Sequence, residues 1–204
     1  MITKMLIYLI TFLGGGVFLG LEIIASRVLA PYFGNSIYVW GSLISVFLLA
    51  LSIGYYCGGL LSDKLPSFKI LALLILGASV FVLIIPLIYI PVSIIIVNWD
   101  LELRISALIA CMAFFMIPSV LNGMITPYII KLNATKLKTI GQTVGNIYAV
   151  STIGSVTGAL LTSFYLIPTI GTRAILYLSG ILLIFTSLLS FLTDKIVSVS
   201  GNPQ

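Results

Sequence analysis

The chain has 204 residues, of which 60% are hydrophobic and 7% are charged, and its formal net charge is +5. A soluble globular domain needs far more polar surface, so this composition excludes one and predicts an all-α integral membrane protein whose first partner is the lipid bilayer. No basic patch is interleaved with aromatic residues, and we therefore expect no nucleic-acid partner. The chain has no histidine and only five acidic residues, so we expect no metal site and no cofactor.

Apolar stretches of about twenty residues, the length that crosses a bilayer core as a helix, recur along the chain. They predict six transmembrane helices, at 5–29, 38–61, 69–90, 103–125, 141–165 and 174–192, followed by a short polar tail at 196–204. Pro31 is expected to end the first helix, because the residue before a proline disfavours the helical conformation. Pro118 and Asn122-Gly123 are expected to interrupt the fourth.

The predicted loops divide the basic residues by side of the membrane. Arg27, Arg104 and Arg173 fall on one side, and the other side carries Lys4, Lys64, Lys69, Lys131, Lys136, Lys138 and Lys195. Lysine and arginine accumulate in cytoplasmic loops. We therefore expect a multi-pass protein of the cell membrane with both termini in the cytoplasm.

Glu22 is an acidic residue inside the first apolar run. A carboxylate there is costly unless it faces other protein or a watery cavity, which would make Glu22 functional. The alternative is a tolerated acid near the membrane surface, and the sequence leaves both open. If Glu22 is functional, we expect a site for a cation, with Tyr32, Tyr38 and Trp40 as further candidates because aromatic faces attract cations. Arg27, a second charged residue of this stretch, is also a candidate.

Spans two and five carry the same glycine spacing. Gly54 and Gly58 in one span, and Gly154 and Gly158 in the other, are each four residues apart, which is typical of closely packed helices. Ser52-Ile53-Gly54 aligns with Thr152-Ile153-Gly154, and Ala30-Pro31-Tyr32 aligns with Thr126-Pro127-Tyr128. Because each copy would hold three spans, the copies must cross the membrane in opposite senses. We therefore expect an inverted repeat of 1–98 and 99–195.

Two segments resemble known families. The end of the first span and the following loop read Glu22-x-x-Ala25-Ser26-Arg27-x-x-Ala30-Pro31-x-x-Gly34-x-Ser36-x-x-x-Trp40. This pattern resembles the membrane domain of fused major facilitator / spermidine synthase proteins. The loop from Gly59 to Lys69, with Asp63 and Lys64, resembles a cytoplasmic loop of major facilitator transporters, in which the aspartate contributes to an inner gate. The resemblance implies half of a major facilitator fold.

Two functions follow from these expectations. The first is a half-size transporter-like unit that acts as a homo-oligomer or with a partner, for a small cation such as the polyamine that the family name suggests. The alternative is a non-catalytic membrane anchor or subunit for a separately encoded spermidine synthase-like aminopropyltransferase. We expect no catalytic residues in this chain, because the family's donor-binding motif lies in its soluble domain.

Overall fold

A computed structural model describes residues 2–134 and 139–199 of the chain. These residues form seven α-helices and a short π-helical turn at Thr162–Leu166. The helices are α1 (Ile2–Phe33), α2 (Ile37–Lys64), α3 (Phe68–Val97), α4 (Leu103–Gly123), α5 (Ile125–Asn133), α6 (Ile140–Leu161) and α7 (Ile167–Val199). Lys136, Lys138 and the tail from residue 200 lie outside the described residues. The all-α prediction is confirmed for the part that is described.

The number of separate membrane helices differs from the six that the sequence predicts. Among the described residues, five helical runs are long and apolar enough to cross a membrane, and the last of them, Ile140–Ser198, contains 59 residues. The loop predicted between spans five and six is largely helical. Only Gly171 leaves the helical conformation there, with φ of 76° and ψ of 163°, which is a backbone geometry open mainly to glycine.

Prolines do not end the helices as predicted. Pro31 lies inside α1, which continues to Phe33 and ends at Gly34, a glycine with φ of 75°. The Gly34 amide donates to the Ala30 carbonyl at 2.9 Å, so the glycine terminates the helix while satisfying a free carbonyl. Pro118 likewise lies inside α4, whereas the interruption predicted at Asn122-Gly123 is confirmed, since α4 ends at Gly123 and α5 begins at Ile125. In both helices the break lies at a glycine that follows the apolar run and not at the proline.

α1 is the central helix, since it contacts all six other helices. Its most extensive contact is with α6, while α3 packs mainly on α7 and α2 mainly on α4. Serine hydroxyls of α7 donate to backbone carbonyls of α3, from Ser187 to Ala72 and from Ser190 to Phe68, both at 2.8 Å. Such bonds satisfy polar groups in a surrounding that lacks water. The outer faces of α2, α3, α6 and α7 expose large apolar side chains.

The repeated glycines lie where helix backbones approach each other. A Cβ placed on Gly158 or Gly154 would collide with the backbone carbonyls of Gly16 and Phe12 in α1. On α2, a Cβ on Gly54 would come within 2.5 Å of the Val120 carbonyl oxygen, and one on Gly58 within 2.8 Å of the Met124 Cα. The absence of a side chain therefore allows α6 to reach α1, and α2 to reach α4.

The described basic residues separate to the two ends of the bundle. The lysine end carries Lys4, Lys64, Lys69, Lys131 and Lys195, all of them exposed. The arginine end carries Arg27, Arg104 and Arg173. Contacts join the elements at each end: Lys131 pairs with Asp63, the Lys69 amide donates to Asp194 at 3.2 Å, and Arg173 lies over the Tyr89 ring at 5.7 Å.

Candidate functional site

A cavity of about 190 Å³ lies inside the bundle, between α1, α2, α4, α5 and α6. Polar side chains contribute to its wall from each of these helices. They are Thr11, Glu22, Tyr55, Asn122, Thr126, Tyr148, Ser151, Thr152 and Ser155. Apolar side chains of α1 and α2, including Phe18 and Leu48, line the rest. Because polar groups inside an apolar helical bundle are costly, their convergence on one space marks it as the candidate site.

Glycines of α1 and α4 create this space. Gly14, Gly15 and Gly123 all line the cavity and place no side chain in it. At Gly15, a Cβ would collide with the backbone carbonyl of Ser151 in α6, so this position holds the α6 wall close to α1. The Ser155 hydroxyl donates to the Gly15 carbonyl at 3.1 Å and fixes the same contact.

Asn122 lines the cavity and holds an unused hydrogen-bond acceptor. Its side chain is 4% exposed, and its Nδ2 donates to the Gly14 carbonyl at 3.2 Å across the α1–α4 contact. The Oδ1 atom has no hydrogen-bond partner in the described part of the chain. A buried acceptor without a partner costs free energy, and a donor brought by a ligand would remove that cost.

Two tyrosines line one side of the cavity. Tyr55 of α2 and Tyr148 of α6 meet edge to face, with ring centroids 6.4 Å apart and an interplanar angle of 90°. Both rings are partly exposed, so they stand at the opening between α2 and α6. Their hydroxyls and ring faces offer hydrogen bonds and a favourable surface for a cation.

Glu22 lines the same cavity and is half-buried. Within residues 2–134 and 139–199, the ion pairs are Arg104 with Glu102 and Lys131 with Asp63, so the carboxylate of Glu22 has no basic partner there. Among the described residues that line the cavity, it is the only one with a formal charge. An unpaired carboxylate in such a space is suited to a cationic ligand.

The structure separates Glu22 from the residues that the sequence grouped with it. Arg27 and Trp40 line a different cavity, toward the arginine end, where the Trp40 Nε1 donates to the Asn35 Oδ1 at 2.9 Å. Tyr32 packs beside Phe33 with ring centroids 6.4 Å apart. Tyr38 is 56% exposed at the start of α2. These four residues therefore do not share the space that Glu22 lines.

Sequence reasoning missed Tyr55, Asn122 and Tyr148. They come from three segments that meet only through the packing of α2, α4 and α6 on α1. One signal was present in α1 itself: Lys4, Tyr8, Thr11, Gly15 and Glu22 recur at helical spacing and so share one face of that helix. That face lines both the central cavity and a polar cavity at the lysine end.

The predicted gate-like residues lie at the lysine end. Asp63 Oδ1 and Lys131 Nζ are 2.6 Å apart, which joins the end of α2 to α5. The Tyr128 hydroxyl donates to the Leu65 carbonyl beside this pair. Lys64 is exposed next to Asp63. These contacts join α2 to α5, which continues α4, on the lysine-end side of the central cavity.

Comparisons with known proteins add no relative, since no family model, no curated protein and no solved structure matches the chain.

Proposed function

We propose that this protein is a transporter-like unit of the cell membrane, in which two copies together enclose a pathway for a small organic cation. The observation that carries the proposal is the polar cavity with its unpaired carboxylate, Glu22, inside an apolar helical bundle. Polar side chains are placed at such depth where they line a pathway or a binding site.

The lengths of the helices support six membrane crossings. A straight helix of 59 residues would be roughly 90 Å long at about 1.5 Å per residue, whereas a bilayer core is about 30 Å thick. The break at Gly171 divides this run at the arginine end and lets it cross twice. Both termini then lie at the lysine end, which is cytoplasmic by the positive-inside rule.

The pairing of the helices supports an inverted repeat. If α1–α3 correspond to α4–α7, with α5 as the extension of α4, the contact of α1 with α6 corresponds to the contact of α4 with α2. Gly154 and Gly158 meet α1 as Gly54 and Gly58 meet α4. Each helix pair is thus built from the same spacing of glycines.

The same contacts favour a different alignment for the first helix of each half. Gly158 packs on Gly16 and Gly58 packs on Met124, so Gly16 corresponds to Met124. By the same offset Gly14 corresponds to Asn122, which donates a hydrogen bond to it. The offset is therefore about 108 residues rather than the 96 that aligns Pro31 with Pro127. At this offset Thr11-Phe-Leu-Gly-Gly corresponds to Ser119-Val-Leu-Asn-Gly. Glu22 then stands opposite Ile130, so the carboxylate belongs to one half only.

The opening of the cavity supports the second copy. It lies between the exposed faces of α2 and α6, beside Tyr55 and Tyr148. Polar groups that face lipid have no hydrogen-bond partners, so this opening needs protein across it. A twofold axis through the opening would place the same surface of two chains against each other and close both cavities.

Ser52→Cys tests this arrangement. Ser52 is exposed on α2 beside the opening, so in a background of Cys57→Ser and Cys111→Ala we expect oxidation in membranes to yield a product of twice the chain mass. Val80→Cys is the matched control, since Val80 is 49% exposed on α3, away from the cavity, and should remain monomeric. Equal cross-linking at the two positions would contradict the dimer through α2 and α6.

The exposed Lys64 and Lys69 favour one alternative, a membrane anchor that docks an acidic face of a spermidine synthase-like enzyme. The intact mass of the complex, extracted from native membranes in mild detergent, separates the two proposals. Two copies of this chain support the transporter-like unit. A fixed ratio with a soluble synthase-like chain would replace it with the anchor.

A further inference from the structure

The central cavity has two chemically different ends. Asn122 bonds to Gly14, whereas Glu22 lies two turns further along α1, about 12 Å away along the helix axis. The side chain of Glu22 points back toward the start of its helix, so the distance between the two polar groups is several ångströms shorter than this. Phe18, Leu48 and Leu51 line the space between them.

Tyr55 and Tyr148 belong to the Asn122 end. Gly54, the neighbour of Tyr55, packs on Gly123, the neighbour of Asn122. Tyr148 meets Tyr55 ring to ring. One end of the cavity therefore offers a carboxylate, and the other offers a buried carbonyl oxygen without a donor beside two aromatic rings.

The charge of the cavity limits the charge of its ligand. Glu22 supplies one negative charge, and within residues 2–134 and 139–199 no other residue that lines the cavity carries a formal charge. A second positive charge would be buried without compensation, which costs more than a neutral donor at the same place. The Asn122 end is therefore suited to a neutral hydroxyl or amide group.

We propose that this cavity binds an organic monoammonium ion with a short apolar stem and a neutral hydrogen-bond donor at its far end. The ammonium group contacts the Glu22 carboxylate, and the donor reaches Asn122 Oδ1 beside Tyr55 and Tyr148. The proposal rests on the proposed function for its biological setting, but binding to one chain requires neither transport nor a dimer.

Binding of four probes with the same five-carbon chain to the purified protein in detergent, followed by calorimetry, tests the assignment. Aminopentanol should bind most tightly, pentylamine more weakly because it leaves Asn122 without a donor, and diaminopentane more weakly because its second charge is not compensated. Pentanediol, which has no charge, should not bind measurably. Tightest binding by diaminopentane, or no binding of aminopentanol, would overturn the proposal.

Variants at the two ends of the cavity test which residues bind the ligand. Glu22→Gln keeps the shape of the side chain and should weaken aminopentanol binding by at least about tenfold, because a charge-assisted hydrogen bond is lost. Tyr55→Leu should weaken it by about threefold to tenfold. The matched controls are Glu102→Gln, in the loop at the arginine end, and Tyr56→Leu, which replaces a ring that is 70% exposed outside the cavity. Wild-type affinity in Glu22→Gln would contradict the site even if the protein transports. Loss of transport with this binding intact would contradict the proposed function alone.

Discussion

Gly158→Ala is expected to destabilise the protein more than any other substitution of a glycine by alanine. A Cβ at Gly158 would collide with the backbone carbonyl of Gly16, and backbone cannot move aside as the end of a flexible side chain can. The α1–α6 pair, the most extensive contact in the bundle, would have to separate. Overpacking of this kind costs roughly 1–3 kcal/mol, and we expect the upper part of that range.

The measurement is the fraction that remains monodisperse on size exclusion after heating in detergent. Gly145→Ala is the matched control on the same helix, since a Cβ there meets nothing within 4 Å. Alanine in an open helical position should stabilise slightly, because glycine loses more conformational freedom on folding. The two changes therefore have opposite expected signs. Equal stability of the two variants would contradict the close approach of α1 and α6.

Asp63→Asn is expected to abolish uptake of the organic cation into vesicles while leaving the fold intact. The pair of Asp63 with Lys131 joins α2 to α5 at the lysine end, and its side chains are 64% and 47% exposed. Exposed ion pairs contribute little to stability, so this one can break and re-form without unfolding the protein. Such a pair is suited to holding the lysine end closed during part of a transport cycle.

The readouts are uptake into vesicles and thermal stability, measured on the same preparation. Exchanging the charges, with Asp63→Lys together with Lys131→Asp, should restore part of the uptake that each single change removes. Asp100→Asn, in the loop at the opposite end, is the control and should behave as wild type. Full uptake by Asp63→Asn would leave the pair without a role in gating.

The long helices were predictable because each lies in an apolar run long enough to cross a membrane. The positions where they end were less predictable, since Pro31 and Pro118 are accommodated inside helices while Gly34 and Gly171 break them. Pro31 lies near the end of its helix, where a proline removes few hydrogen bonds. A glycine with positive φ redirects the chain, and the sequence does not reveal which glycine will adopt it.

The candidate site was predictable only in its charged residue. Glu22 is evident from the cost of a carboxylate in an apolar run, whereas Asn122 and the two tyrosines acquire their roles only when α2, α4 and α6 pack on α1. The aromatic residues near Glu22 in sequence lie outside this cavity, because α1 carries Tyr32 past it toward the arginine end.

The most direct test of the central claim is uptake of labelled aminopentanol by vesicles that contain only the purified chain. We predict saturable uptake that exceeds protein-free vesicles, is competed by unlabelled aminopentanol and is lost in Glu22→Gln. Uptake equal to that of protein-free vesicles, from a preparation that is dimeric and binds the probe, would contradict a transporter-like function for this protein.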